Sequence, residues 1–110
     1  MPKPELTPEL LEIIASRFKA LSEPARLEIL SSLSDGELCV TDLVERTGLG
    51  QANLSKHLQV LHANGFVGRR KDGLFTYYDL ADRDVMRLCD AMCGRLQSEH
   101  LVQRRILARR

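Results

Sequence analysis

The stretch Val40–Gly65, VTDLVERTGLGQANLSKHLQVLHANG, places the tightest limit on what this chain can fold into. It reads as two short helices joined by a tight turn. Thr41 has a hydroxyl that can accept from the free N–H groups of a first helical turn, so it is the expected N-cap of a helix over Asp42–Thr47. Asp42 then sits at the positive end of the helix dipole. Gly48 supplies the left-handed residue that ends a helix without a Cβ penalty. After Leu49 and Gly50 a second helix is expected from Gln51 to about Asn64, closed by Gly65. Leu54, Leu58 and Leu61 recur at i, i+4 and i+7, which makes one buried stripe. The opposite face carries Gln51, Asn53, Ser55, Lys56 and Gln59. Short hydrogen-bonding groups with one cation suit a helix lying in a major groove. They also suit the solvated face of a small all-α domain.

After Gly65 the pattern changes period. Phe66–Lys71 and Leu74–Leu80 are β-rich runs separated by Asp72-Gly73. An Asp-Gly pair between such runs is a strong hairpin signal, because both residues tolerate positive φ. Arg69, Arg70 and Lys71 then sit at the hairpin tip, where they could straddle a phosphate backbone.

Upstream, Thr7-Pro8-Glu9 combines a capping hydroxyl, a first-turn proline and an early carboxylate, a helix start. Helix 1 is expected over about 8–20, with Leu10, Ile14, Phe18 and Leu21 on its apolar face. Ser22 is the expected cap of a second helix, about 23–33, with Leu27, Leu30 and Leu33 inward and Arg26 and Glu28 in solvent. Ser34-Asp35-Gly36 is a turn, and Glu37–Val40 an extended link. Asp82 or Asp84 opens a last helix expected to run beyond 105, with Val85, Leu88, Met92 and Leu96 on one face and Gly94 as its weak point. Residues 1–7 are expected as a disordered arm and 8–107 as one domain.

A chain of 110 residues allows one domain and not two. A domain this small buries a modest fraction of its surface, so dimerisation would help it. No apolar run reaches signal-peptide or membrane-span length, which points to the cytoplasm and to no membrane partner. Three cysteines, an odd number, argue for free thiols in a reducing compartment. Net charge is only +1, but residues 1–50 carry 5 basic against 9 acidic side chains, residues 51–73 carry 4 against 1, and residues 74–110 carry 7 against 5. Positive charge gathers at the second helix of the pair and the hairpin, as on a phosphate-facing surface. No nucleophile–base–orienter set and no phosphate-cradling glycine loop appears, so an enzyme is not expected.

Three helices, a reading helix, a basic hairpin and a last helix give a mostly α chain with a β-hairpin wing, the order of a winged helix-turn-helix. FKALSEPARLEIL (18–30), GELCVTDL (36–43), GLGQANLSKHLQVLHANGFV (48–67) and RRKDGLFTYYDL (69–80) closely resemble the bacterial metal- and stress-sensing repressors of the ArsR/SmtB type. The resemblance covers about residues 15–100. It implies a homodimer whose terminal helices pack together, and an inducer that releases the DNA. It also implies that helix 51–64 enters the major groove of double-stranded operator DNA, an inverted repeat. Gln51, Ala52, Asn53, Ser55, Lys56, His57 and Gln59 would lie at the DNA, and Arg69, Arg70 and Lys71 along its backbone or minor groove.

Arsenic-sensing members of the family carry three cysteines in ELCVCDLC. This chain keeps Cys39 and has Thr41 and Val44 at the other two positions. Zinc-sensing members use a carboxylate–His pair and a second His pair on the last helix, where this chain has Asp90 and His100 but no Asp-x-His. It does have Cys89-Asp90-Ala91-Met92-Cys93. Cysteines at i and i+4 share a helix face with Cβ atoms ~5–6 Å apart, wide for a disulfide, which wants about 3.5–4.5 Å. The spacing suits two thiolates on one thiophilic centre, each bond about 2.3 Å. Soft ligands select zinc, cadmium, copper(I) or arsenic(III) over magnesium or calcium. Such a thiolate-bound metal or metalloid, or a reactive sulfur species or oxidant, is the expected inducer, with Cys39 as a candidate third thiolate. Cys89 and Cys93 also overlap the apolar stripe, where cysteine acts as a small buried hydrophobe. The rival readings are therefore a constitutive or protein-regulated DNA binder with structural cysteines, and a winged helix used as a protein-interaction module.

Overall fold

In the computed structural model, which describes residues 3–99, five helices and three strands follow one another. They are α1 (Pro8–Leu21), α2 (Pro24–Ser32), β1 (Leu38–Cys39), α3 (Val40–Thr47), α4 (Gln51–Ala63), β2 (Val67–Asp72), β3 (Phe75–Leu80) and α5 (Asp84–Gln97). Thr7 caps α1, its hydroxyl accepting from the Leu10 N–H at 3.2 Å, with Pro8 in the first turn. Ser22 does not cap α2. Its hydroxyl donates to the Lys19 carbonyl at 2.7 Å and so closes α1, leaving Glu23 at the α2 N-cap without a side-chain bond.

The expected orientation of α2 is also corrected. Ile29, Leu30 and Leu33 are buried, Leu27 is exposed, and the Arg26 side chain is only 15% exposed. Burying a guanidinium is tolerable only where its donors find acceptors, and Arg26 finds two on neighbouring helices, described below. The start of α3 moves as well. The helix begins at Val40, so Thr41 lies inside its first turn and Cys39 is the N-cap. The Asp42 carboxylate reaches back to accept from the Cys39 N–H at 3.4 Å and its thiol at 3.1 Å, the return half of a capping box.

Gly48 ends α3 with φ +71, as the sequence predicts, and Gly65 follows α4 with φ +78. Leu54, Leu58 and Leu61 of α4 form one buried core with Leu30 of α2, Leu33 just after it, Leu43 of α3, Phe66 just ahead of the hairpin, and Val67 and Leu80 within it. The sheet is antiparallel in the order β1-β3-β2. Asp72 pairs with Phe75, so the turn is Gly73-Leu74 and not Asp72-Gly73. Gly73 has φ +62 while Leu74 does not enter the positive region, as in a type II′ turn, which needs glycine only at its first central position. The three cations therefore lie along β2 rather than at the tip.

The Asp82 carboxylate accepts from the Asp84 N–H at 2.9 Å where α5 begins. Val85 is buried, but Leu88, Met92 and Leu96 are exposed. The helix ends at Gln97, short of the expected limit beyond 105, with the Ser98 hydroxyl donating to the Arg95 carbonyl at 2.7 Å. His100 and the final arginines lie outside the described residues. Among the described residues, no helix is long and apolar enough to cross a membrane.

Candidate nucleic-acid interface

The N-cap of α4 is Gly50, which offers no side chain to the first N–H groups of the helix. Those donors and the positive end of the dipole face outward, a disposition that favours a phosphate. With the leucine stripe buried, Gln51, Ala52, Asn53, Ser55, Lys56 and Gln59 are all exposed. His57 is the departure. Its side chain is 12% exposed and its Nδ1 accepts from Arg26 Nε at 3.1 Å, with the Glu23 carboxylate 3.6 Å away. It faces α2 rather than the exposed side of α4, because Leu58 next to it faces the core and the turn of the helix carries His57 toward Arg26.

Strand pleating divides the cations of β2, since successive side chains point to opposite faces. Arg70 lies opposite Tyr77, its guanidinium carbon 4.6 Å from the ring centroid. Both of its bonds to the Glu37 carboxylate are 2.7 Å, and Asp72 stands 3.7 Å away. The hydrogen bond from Arg70 holds the Glu37 carboxyl below the usual carboxylate range, and Glu37 in turn raises Arg70 further. Arg69 and Lys71 pair with Tyr78 and Thr76 on the other face. Thr76 and Tyr78 line one wall of a cleft of about 510 Å³, and Gln51 and Ser55 of α4 line another. Arg69 and Lys71 thus share the sheet face that looks toward the start of α4.

Leu74, fully exposed, and Phe75 form the wing tip and border the same cleft. The sequence places both in the second β-rich run, because the Asp72-Gly73 signal sets the turn one residue early. A leucine directly after the turn glycine is the available signal.

The thiols separate. Cys39 is half-buried at the cleft beside the wing, while Cys89 is half-buried and Cys93 exposed, one turn apart on α5. Among the described residues, no group of three or more His, Cys, Asp or Glu side chains is arranged to hold a metal, so one chain does not bring Cys39 to the α5 pair. Elsewhere, Ile14, Phe18 and Leu21 of α1 and Leu88 of α5 line an apolar groove of about 300 Å³.

A family model described as bacterial regulatory protein, arsR family, matches residues 23–68. The chain is 34% identical over 98 residues to the transcriptional repressor SmtB homolog of Synechocystis sp., covering 84% of this chain and 74% of that one. It is 39% identical to an arsenical resistance operon repressor of Bacillus subtilis, covering 74% and 78%. A homodimeric winged helix-turn-helix DNA-binding domain from Mycobacterium bovis superimposes with a TM-score of 0.72 at 35% identity, covering 92% of this chain and 93% of that one.

Proposed function

The chain belongs to the arsR family of bacterial regulatory proteins, winged-helix transcriptional repressors, and from that premise we propose that it is a cytoplasmic homodimer that reads an inverted-repeat operator with α4 and releases it when its α5 thiols are engaged. The observation that carries the DNA half is the cleft that Gln51 and Ser55 of α4 share with Thr76 and Tyr78 of the wing, the cross-strand partners of Lys71 and Arg69. Gln51, Asn53, Ser55 and Lys56 contact bases or adjacent phosphates, each good base contact giving about 1–3 kcal/mol of discrimination. Ala52 presents its methyl group and its N–H at the first turn. Arg69 and Lys71 hold the backbone. Residues 8–107 act as one DNA-binding and dimerisation domain behind an arm at 1–7.

The dimer half rests on α1 and α5. Ile13, Phe18, Leu88 and Met92 are each more than half exposed, an apolar surface that a partner copy would cover. A two-fold dimer presents two copies of α4, which is why the operator is an inverted repeat.

For the sensor, Cys89 and Cys93 supply two thiolates on one helix face. They fit attachment of a thiophilic metal or metalloid through two bonds, and a third or fourth ligand would come from outside the described residues or from the partner copy. Such a centre neutralises and links two thiolates within one turn of α5. Because α5 borders the dimer surface, engaging these thiols biases the relative placement of the two reading helices, and DNA affinity falls by linkage. Gel shifts on genomic fragments test the first half, with a sequence-specific complex expected and no preferred fragment counting against it. Arsenite, cadmium, zinc and a persulfide donor, each titrated against the complex, test the second. Release is expected from wild type and not from Cys89→Ser/Cys93→Ser. If none of the four releases wild type, or the double variant responds equally, the cysteines are packing residues.

A further inference from the structure

The partly buried Arg26 joins three helices. Its Nε donates to His57 Nδ1 on α4 at 3.1 Å, and its Nη1 donates to the Ala20 carbonyl in the last turn of α1 at 3.2 Å. The Glu23 carboxylate, half exposed at the α2 N-cap, stands 3.8 Å from Nη2 and 3.6 Å from His57 Nδ1. An arginine has donors only, so Nδ1 of His57 is the acceptor of this bond. We propose that Arg26 and His57 are positioning residues, which fix the reading helix α4 to α1, the helix carrying the exposed apolar face, and so set operator recognition without touching DNA. The inference rests on the reading of α4 proposed above.

The geometry supports the claim in two ways. The pair is the side-chain hydrogen bond between α2 and α4, and the same guanidinium holds the end of α1, so α4 cannot rotate about its axis without losing the Nδ1 acceptor. Both side chains are also largely withdrawn from solvent, where an unmet donor on a guanidinium is costly. A small rotation of α4 would displace Gln51 and Ser55 from the base edges while leaving the phosphate-binding wing in place. Specific binding therefore suffers more than binding to random DNA.

Replacing His57 by Asn and by Gln tests this, because Asn places an amide oxygen near the position of Nδ1 whereas Gln reaches to that of Nε2. Folding is checked by circular dichroism and assembly by sedimentation. Expected is operator affinity within about threefold of wild type for His57→Asn and about tenfold or more weaker for His57→Gln, with random-DNA affinity and its salt dependence alike in both. Arg26→Lys keeps the charge but loses the planar Nε donor, and the same loss of operator preference is expected. A purely structural pair would lower the melting temperature while keeping the ratio of operator to random-DNA affinity at its wild-type value, and that result overturns the proposal. So does equal operator affinity of the Asn and Gln variants, or wild-type affinity of Arg26→Lys should the His57 variants not fold. Gln51→Ala/Ser55→Ala, measured alongside, separates the failures. If that variant alone loses preference, α4 reads DNA without this pair; if all variants keep it, the reading of α4 falls too.

Discussion

Arg69, Arg70 and Lys71 are neighbours in the chain with different employment. Arg70 is held by Glu37, Asp72 and the Tyr77 ring, while Arg69 and Lys71 lie on the face toward α4. A cation contributes to salt-dependent binding only through the phosphate counterions it displaces. Arg69→Ala and Lys71→Ala should therefore each flatten the slope of log affinity against log salt by about one, and Arg70→Ala by clearly less. Three equal slopes from a salt titration would contradict the division of labour. Glu37 makes a second residue-scale prediction. Its carboxyl is held below the ordinary value of 4.5 by Arg70, so its stabilising effect is fully present above that value and is lost as pH falls through the lowered one. Thermal melts of wild type and Glu37→Gln should differ at neutral pH and converge as the solution is acidified past that range. A gap that widens on acidification would reverse the sign. Because the pair is exposed, the neutral-pH gap should be small.

At the scale of elements, α4 has an inner face that holds the fold and an outer face free to change. Leu58 is 1% exposed among Leu30, Leu43 and Leu54. Leu58→Ala should cost about 2–5 kcal/mol in urea denaturation, whereas Lys56→Ala should stay within about 0.5 kcal/mol and alter DNA binding instead. This division was legible in the sequence, because a leucine stripe bounded by Gly48 and Gly65 is local information. Ser22, Arg26 and His57 were misplaced because their partners are decided by tertiary packing: the Lys19 carbonyl takes the Ser22 hydroxyl, and Arg26 finds acceptors on α1 and α4. Thr41 yielded to Cys39 because Asp42 reaches back to the chain ahead of the helix. The hairpin was legible but not its turn. Asp72-Gly73 and Gly73-Leu74 both contain the needed glycine, and only the pairing of Asp72 with Phe75 chooses between them. The cysteines were visible as residues, but their separation into a cleft thiol and an α5 pair depends on the whole topology.

At the scale of the molecule, the proposed dimer rests on the exposed apolar side chains of α1 and α5, and it predicts that two reading helices act together on one operator. Placing charge on that surface, by Phe18→Glu with Met92→Glu, should shift sedimentation from dimer to monomer. Affinity for a full inverted repeat should then fall to that for an isolated half-site. A monomeric variant with undiminished affinity for the full repeat would remove the dimer from the account. The central claim, that the exposed face of α4 reads the bases, is tested most directly by selecting binding sites from a random-sequence library with wild type and with Gln51→Ala/Ser55→Ala. Wild type should enrich an inverted repeat with half-sites about 10–10.5 base pairs apart, or a multiple of that spacing. The variant should lose preference at the same positions in both half-sites. Enrichment of the same sequence by both proteins, or of no repeat by wild type, would contradict it.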